Sequence, residues 1–201
     1  MSRSLLVVAG VVVVVLLFAF STYNRLVTLQ EGVDTAWSQV ENVYQRRTDL
    51  IPNLVETVKG AAQFERETFE AVTAARARAS SITLGQAPTA EQLAAFQAAQ
   101  GEVSSALSRL LVTVEAYPQL TATQAFRDLQ AQLEGTENRI ANERRLYNEV
   151  TREFNIYRRQ FPAVLVAGML GFGEKALFEA EAGADEPPPV DFSDDSNGGA
   201  P

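Results

Sequence analysis

The sequence contains no cysteine and no histidine among its 201 residues. The absence of cysteine excludes disulfide bonds, thiolate nucleophiles and thiolate metal sites. The absence of histidine removes the side chain that most often serves as a general base near neutral pH and as a ligand of transition metals. We therefore predict no catalytic residue, no metal site and no cofactor.

Basic residues are also scarce, because 17 lysines and arginines stand against 25 aspartates and glutamates, a formal net charge of −8. This balance argues against nucleic acid as a partner, since phosphate contacts require clustered basic side chains. After Lys175 the sequence contains seven acidic residues, no basic residue and a run of three prolines. Low hydrophobicity, like charge and proline together predict a disordered acidic tail over residues 183–201.

One long apolar run, Leu5 to Phe20, lies between Arg3 and Arg25 without an intervening charge. With its polar neighbours it reaches the roughly 18 to 20 residues that a membrane-spanning helix needs. A cleaved secretory signal is the alternative, but the run exceeds the usual signal core of about 7 to 15 residues. We predict that residues 1–22 form a retained anchor in the cell (inner) membrane. The positive-inside bias favours a cytoplasmic amino terminus and an extracytoplasmic body.

Residues 23–162 show apolar positions at three- and four-residue steps, which is typical of amphipathic helices. Four such segments with short connections predict an all-α fold, an antiparallel up-and-down four-helix bundle. Residues 80–90 are predicted as a loop, with Thr89 starting the third helix. Thr121 or Thr123 is predicted to cap the fourth helix, which Pro162 ends.

The end of the first bundle helix allows two interpretations. Asp49 could cap a new helix that carries Pro52 in its first turn, where a missing N–H costs little. Alternatively, one long helix continues through Pro52 and is kinked there.

The up-and-down order returns residues 163–182 to the membrane surface. This segment has too few consecutive apolar residues to span a bilayer, and Glu174 and Lys175 interrupt it. We predict a membrane-proximal segment that lies against lipid headgroups or packs on the base of the bundle.

Several charged residues fall on or beside the apolar faces of the predicted helices. Inward glutamates are typical of carboxylate-bridged di-metal bundles, but that class also uses Glu-x-x-His pairs, and this chain has no histidine. We predict instead a structural ion network that fixes helix register. Its candidate members are Arg47, Glu65, Glu115, Glu137 and Arg144.

Sequence blocks spread over residues 22–178 resemble the LemA family of bacterial membrane-anchored helical proteins, and the most specific block surrounds Asp49 to Asn53. The positions that carry the resemblance are Tyr23, Asn24, Trp37, Arg47, Asp49, Leu50, Pro52, Asn53, Leu54, Tyr117, Pro118, Glu137, Tyr147, Asn148, Asn155 and Pro162.

The resemblance implies an amino-terminal membrane helix followed by a four-helix bundle, with roles in membranes and envelopes, including magnetosome membranes in one branch. It carries over no reaction, cofactor or catalytic residue. We expect a non-enzymatic scaffold or adaptor that contacts the lipid bilayer and other membrane or envelope proteins, with a homo-oligomer left open. The alternatives are an accessory subunit of a membrane protease or transporter, and a carboxylate-based envelope enzyme.

Overall fold

The structure is a computed structural model that describes residues 3–59 and 66–179. Glu65 and the predicted tail at 183–201 lie outside the described residues. The described residues are all-α, as predicted, and contain no strand. They form six helices: α1 (Arg3–Lys59), α2 (Arg66–Ser80), α3 (Ala90–Glu115), α4 (Pro118–Thr121), α5 (Gln124–Arg159) and α6 (Ala163–Leu170). We call residues 23–59 and 66–179 the helical body.

Helix α1 joins the apolar run to the helical body without a break. Its 57 residues correspond to about 85 Å at 1.5 Å per residue. Among the described residues it is the one helix long and apolar enough to cross a membrane. Side chains before Ala19 are exposed, whereas Thr22, Leu26 and Val33 are buried in the helical body. Because α1 is continuous, the orientation of the helical body follows that of the apolar run.

Helix α1 also continues through Pro52, so the second interpretation is correct in predicting one long helix. Proline has no backbone N–H, and the Thr48 carbonyl therefore loses its usual partner four residues later. Arg76 of α2 replaces that partner, because its Nε donates to the Thr48 carbonyl oxygen at 3.0 Å. Asp49 is not a cap, and its side chain accepts from Gln45 one helical turn earlier at 2.8 Å.

Two buried clusters form the interior of the helical body. The distal core joins the end of α1 (Ile51, Leu54, Val58) to α2, α3, α4 and the start of α5. The proximal core joins the part of α1 nearer the apolar run to the second half of α5. Helices α1 and α5 are antiparallel, because Arg25 pairs with Glu153 whereas Arg47 pairs with Glu137.

In the proximal half, two non-helical segments cover the α1–α5 pair. Residues 81–89 form the predicted loop, and residues 172–179, which we call the strap, follow α6. Both contribute apolar side chains to the proximal core. The loop ends in a capping box at Thr89, as predicted, and Thr123 caps α5 by accepting from the Phe126 N–H.

The loop is held by carboxylates that lie seven residues apart on α1. Asp34 accepts from the Ala87 N–H at 3.0 Å, and Glu41 accepts from the Leu84 N–H at 3.1 Å. Between these two contacts the chain turns at Gly85, which has a positive φ of 62°, and the Gln86 N–H donates to the Leu84 carbonyl at 2.7 Å. The two carboxylates therefore provide acceptors for partly buried backbone donors that have no neighbouring strand.

Helix α6 packs its two small buried residues, Ala163 and Ala167, against the helical body. The next residues turn at Gly171, which has a positive φ of 77° that favours glycine. The Phe172 ring then contacts the Tyr23 ring edge-on, with centroids 6.0 Å apart. The position of this segment relative to a bilayer stays a prediction.

We expect Arg76→Met to lower the free energy of unfolding by about 1–2 kcal/mol, because it leaves the buried Thr48 carbonyl without its donor. The loss should shrink in a Pro52→Ala background, where the alanine supplies a backbone N–H to the same carbonyl. Denaturant unfolding followed by circular dichroism measures both values.

Arg78→Met is the matched control on the same helix, since Arg78 forms an exposed ion pair with Glu102. Its cost should not depend on residue 52. An Arg76→Met cost that is equally independent of residue 52 contradicts the assignment.

Candidate functional site

Arg47 is the one charged residue that is buried in the part of the chain that the structure describes, with 1% of its surface exposed. It lies on the inward face of α1, where the three- and four-residue apolar pattern places it. Burying an isolated guanidinium is very costly unless hydrogen bonds and a counter-charge compensate it. The surroundings of Arg47 supply both.

The Arg47 guanidinium reaches α3 and α5 at once. Its Nη1 donates to Glu137 Oε1 at 2.6 Å and to Ser104 Oγ at 2.9 Å. Its Nη2 donates to the side-chain oxygen of Gln100 at 2.6 Å and to the Gln100 carbonyl at 3.1 Å. Four directed bonds from one planar group fix the relative register of three helices.

The structure pairs one of the other candidate members of the network with Arg47 and places two elsewhere. Glu137 is half-exposed and pairs with Arg47. Glu115 is exposed at the end of α3. Arg144 contacts the strap, where it lies over the Phe178 ring at 4.8 Å and donates to the Glu179 carbonyl at 3.2 Å. Glu65 lies outside the described residues.

Sequence reasoning missed Gln100 and Ser104 as partners of Arg47. Gln100 is buried and continues the apolar stripe of α3 between Phe96 and Val103. A polar residue on an apolar stripe was the available signal, because a buried amide needs hydrogen-bond partners.

An aromatic cluster in the proximal core surrounds Trp37. Its ring lies 5.3 Å from the Phe96 ring and 5.6 Å from the Tyr147 ring, both in edge-on geometry. The Phe178 ring of the strap stacks at 6.1 Å from Trp37 and meets Tyr147 edge-on at 5.5 Å. The strap is therefore a component of the core.

Two asparagines on α5 hold the strap backbone. Asn155 donates to the Lys175 carbonyl at 2.8 Å and accepts from the Lys175 N–H at 3.0 Å. Asn148 does the same for Phe178, at 3.0 and 2.9 Å. A side-chain amide has one donor face and one acceptor face, so each asparagine satisfies both groups of one residue. As on α1, the two side chains that hold the segment lie seven residues apart.

Tyr147 adds a third bond to the strap, because its hydroxyl donates to the Ala176 carbonyl at 3.0 Å. Burial raises the pKa of the Tyr147 phenol to about 12 from its ordinary value of 10.0. The phenol is therefore a neutral donor at physiological pH, which suits a structural role.

A cleft of about 370 Å³ opens over Arg47 and Glu137 between α3 and α5. Of its lining residues, Glu137 is the one carboxylate, and the others are cationic, amide, hydroxyl or apolar. The described residues contain no group of three or more acidic side chains that could hold a metal ion. This arrangement ties helices together and offers no pair of converging carboxylates.

Many positions that carry the family resemblance lie in these features. Arg47 and Glu137 form the buried pair, the block from Asp49 to Leu54 surrounds Pro52, and Trp37 is at the centre of the aromatic cluster. The strap is held by Tyr147, Asn148 and Asn155. Helix α4 begins at Pro118, and α6 begins directly after Pro162. Phe172 contacts Tyr23.

The described residues form an all-α body that is continuous with a long apolar helix. The polar side chains described above hold helices to one another and to the strap. These features are those of a membrane-associated helical protein. The chain belongs to the LemA family, whose model matches residues 36–192.

The chain is similar to curated proteins of two kinds. It is 28% identical over 183 residues to Magnetosome protein MamQ 2 of Paramagnetospirillum magneticum, covering 82% of this chain and 67% of that protein. It is 26% identical over 185 residues to Magnetosome protein MamQ of Magnetospirillum gryphiswaldense, with the same coverage. Protein LemA of Metamycoplasma hominis is 24% identical over 157 residues, covering 78% of this chain and 68% of that protein.

We expect Glu137→Gln to destabilise the protein by about 2–3 kcal/mol, because it leaves the buried Arg47 guanidinium without a counter-charge. The cost should fall below that of a fully buried pair, since water reaches Glu137. The double variant Arg47→Met with Glu137→Gln should recover part of the loss. Denaturant unfolding of the four proteins of the cycle measures the coupling.

Glu134→Gln is the control, because Glu134 is exposed one turn away on α5. It should change stability by less than about 0.5 kcal/mol. Equal effects at Glu134 and Glu137 contradict a structural role for the buried pair.

We expect Asn155→Ala to release the strap at Lys175, with a loss of about 1–3 kcal/mol, because one residue loses both backbone partners. Asn155→Asp should have an intermediate effect, since a carboxylate accepts from the Lys175 N–H but cannot donate to its carbonyl. Amide hydrogen exchange at Lys175 and Phe178 reports the release. Asn138→Ala, at an exposed position of α5, should leave exchange unchanged, and unaltered exchange in Asn155→Ala contradicts the assignment.

Proposed function

We propose that the chain is a membrane-anchored, non-enzymatic scaffold or adaptor of the cell envelope. Helix α1 anchors it in the cell membrane with the amino terminus in the cytoplasm. Helices α1, α2, α3 and α5 form an up-and-down four-helix bundle on the extracytoplasmic side, which contacts other membrane or envelope proteins through its exposed faces.

The observation that carries this proposal is the continuity of α1. A helix that runs unbroken from the apolar run into both cores holds the helical body at a fixed place beside the bilayer. Confinement to a surface raises the effective concentration of a binding module for partners in the same membrane. A role of this kind requires no catalytic group in the helical body.

The distribution of polar groups also supports a structural role. The buried guanidinium of Arg47 is directed to α3 and α5, and the amides of Asn148 and Asn155 are directed to the strap. The relatives named as magnetosome proteins are consistent with work at a membrane.

Photocrosslinking in intact membranes tests the proposal. We expect a photoreactive residue at Val112, which is 67% exposed on α3, to capture a small set of membrane or envelope proteins. The same residue at Leu16, in the apolar half of α1, should capture lipid and serves as the control. Mass spectrometry identifies the products. If all exposed positions around the helical body capture the same proteins in proportion to their abundance, the adaptor role is contradicted.

The carboxylate-based enzyme and the accessory subunit make different predictions. Alanine at Glu65 or Glu115 that abolishes the cellular phenotype while leaving unfolding unchanged supports an enzyme; Glu137 is left intact because its loss destabilises the helical body. A fixed stoichiometry with one protease or transporter, and degradation of the chain in its absence, supports an accessory subunit.

A further inference from the structure

Helix α6 has an inverted distribution of side-chain size. The residues it buries are small, Ala163 at 2% and Ala167 at 5% exposure. Val166 packs partly against the proximal core, whereas Leu165 is 59% exposed, Met169 is 86% exposed and Phe161, in the turn just before the helix, is 82% exposed. Leu165 and Met169 are four residues apart and share one face of α6. We call Leu165, Met169 and the preceding Phe161 the apolar face of α6.

Val164 and Leu170, at 43% and 57% exposure, add further exposed apolar surface on other sides of the same short helix. Keeping such a surface in water is unfavourable in proportion to its area, and contiguous apolar patches mark places where something else binds. The arrangement inside α6 is the reverse of an ordinary amphipathic helix on a water-soluble body, which buries its large residues and exposes its small ones.

The location of α6 identifies what covers this face. Ala167 and Leu26 belong to the same proximal core, and the ring of Phe172 contacts the ring of Tyr23. Thr22 is the first buried residue of α1, directly after the exposed apolar run. The apolar face of α6 is therefore continuous with the apolar surface of α1, at the end where α1 enters the helical body.

Charge follows the same boundary. Residues 160–173 contain no charged side chain, a stretch of 14 residues. Arg158 and Arg159 lie in the last turn of α5, immediately before this stretch. Arginines at the edge of an apolar surface are positioned to meet anionic lipid headgroups while their stems remain in apolar surroundings.

We propose that α6 is a second membrane contact, whose Phe161, Leu165 and Met169 face enters the acyl-chain region of the leaflet from which α1 emerges. An eight-residue helix rises about 12 Å, so it enters one leaflet and does not cross. The inference rests on the proposed insertion of α1 and is independent of the adaptor role. It goes beyond an interfacial placement, because it assigns one helix face to lipid and the other to the helical body.

A second contact changes what the anchor does. A single spanning helix leaves the body free to rotate about the helix axis, whereas a spanning helix with a neighbouring inserted helix fixes the rotation. One side of the helical body, the side that carries α6, then faces the bilayer at all times. The opposite side is presented outward.

Site-directed fluorescence in vesicles tests the proposal, and the absence of cysteine allows single labels on the full chain. We replace Leu165 or Met169 by cysteine, attach a small environment-sensitive fluorophore, and reconstitute each protein into vesicles of zwitterionic and anionic phospholipids. Acyl chains brominated near the headgroup end quench labels that contact lipid, and iodide quenches labels in water. Leu16→Cys is the lipid control and Val112→Cys the water control.

We expect labels at positions 165 and 169 to be quenched several-fold more by brominated chains than the label at 112, and several-fold less by iodide. Iodide quenching equal to that at position 112 overturns the proposal. Protection from iodide without quenching by brominated chains also overturns it, because the cover is then protein. A second copy is identified as that cover if the protection disappears at one chain per vesicle.

A matched variant separates insertion from folding. The triple change Phe161→Ser, Leu165→Ser, Met169→Ser replaces side chains that the helical body does not bury, so unfolding of the helical body should be unchanged. A label at Val164→Cys should become several-fold more accessible to iodide in this variant than in the parent. In the parent protein, a label at Leu16 that is also in water means that the anchor, and hence the proposed function, has failed. A parent protein with the Leu16 label in lipid but the labels at 165 and 169 in water keeps the anchor and overturns this inference alone.

Discussion

The uninterrupted backbone of α1 is the constraint on which the rest of the structure depends. The apolar run, Arg47 and the contributions of α1 to both cores all lie on this one helix. Its continuity past Pro52 requires a donor for the Thr48 carbonyl, and that donor comes from α2 through Arg76. Helix α1 therefore depends on α2 for this hydrogen bond, and α2 in turn packs against α1, so the two helices stabilise each other.

The same requirement, a partner for each buried backbone group, explains the proximal half. There α1 and α5 pack against the start of α3 and two non-helical segments, whose backbone groups have no strand beside them in the described residues. Side chains seven residues apart take the place of a strand, with Asp34 and Glu41 holding the loop and Asn148 and Asn155 holding the strap. Carboxylates suffice for the loop, where only N–H groups are held, whereas the strap presents both groups and requires amides.

Local patterns in the sequence predicted what local forces determine. The all-α class, the apolar run, the loop at 81–89 and the caps at Thr89 and Thr123 all follow from neighbouring residues. Whether the helix continues through Pro52 could not be predicted in this way, because the contact that replaces the missing hydrogen bond comes from Arg76, 24 positions later in the chain. The strap was also beyond local reasoning, since its conformation is set by amides on α5. Within the candidate network, position on an apolar face selected Arg47 and Glu137 as members, but it could not say which residues pair. It did not distinguish an arginine that meets a carboxylate from Arg144, which meets the Phe178 ring.

The direction of the strap determines where the acidic end of the chain begins. The strap runs back along α5, so Glu179 lies beside Arg144, whereas α6 lies beyond Arg159 at the far end of the same helix. The 15 residues between these arginines rise about 22 Å. That distance exceeds the Debye length of about 8 Å at physiological ionic strength. Glu179, the first acidic residue after Lys175, therefore lies well outside the electrostatic range of an anionic surface at the α6 end.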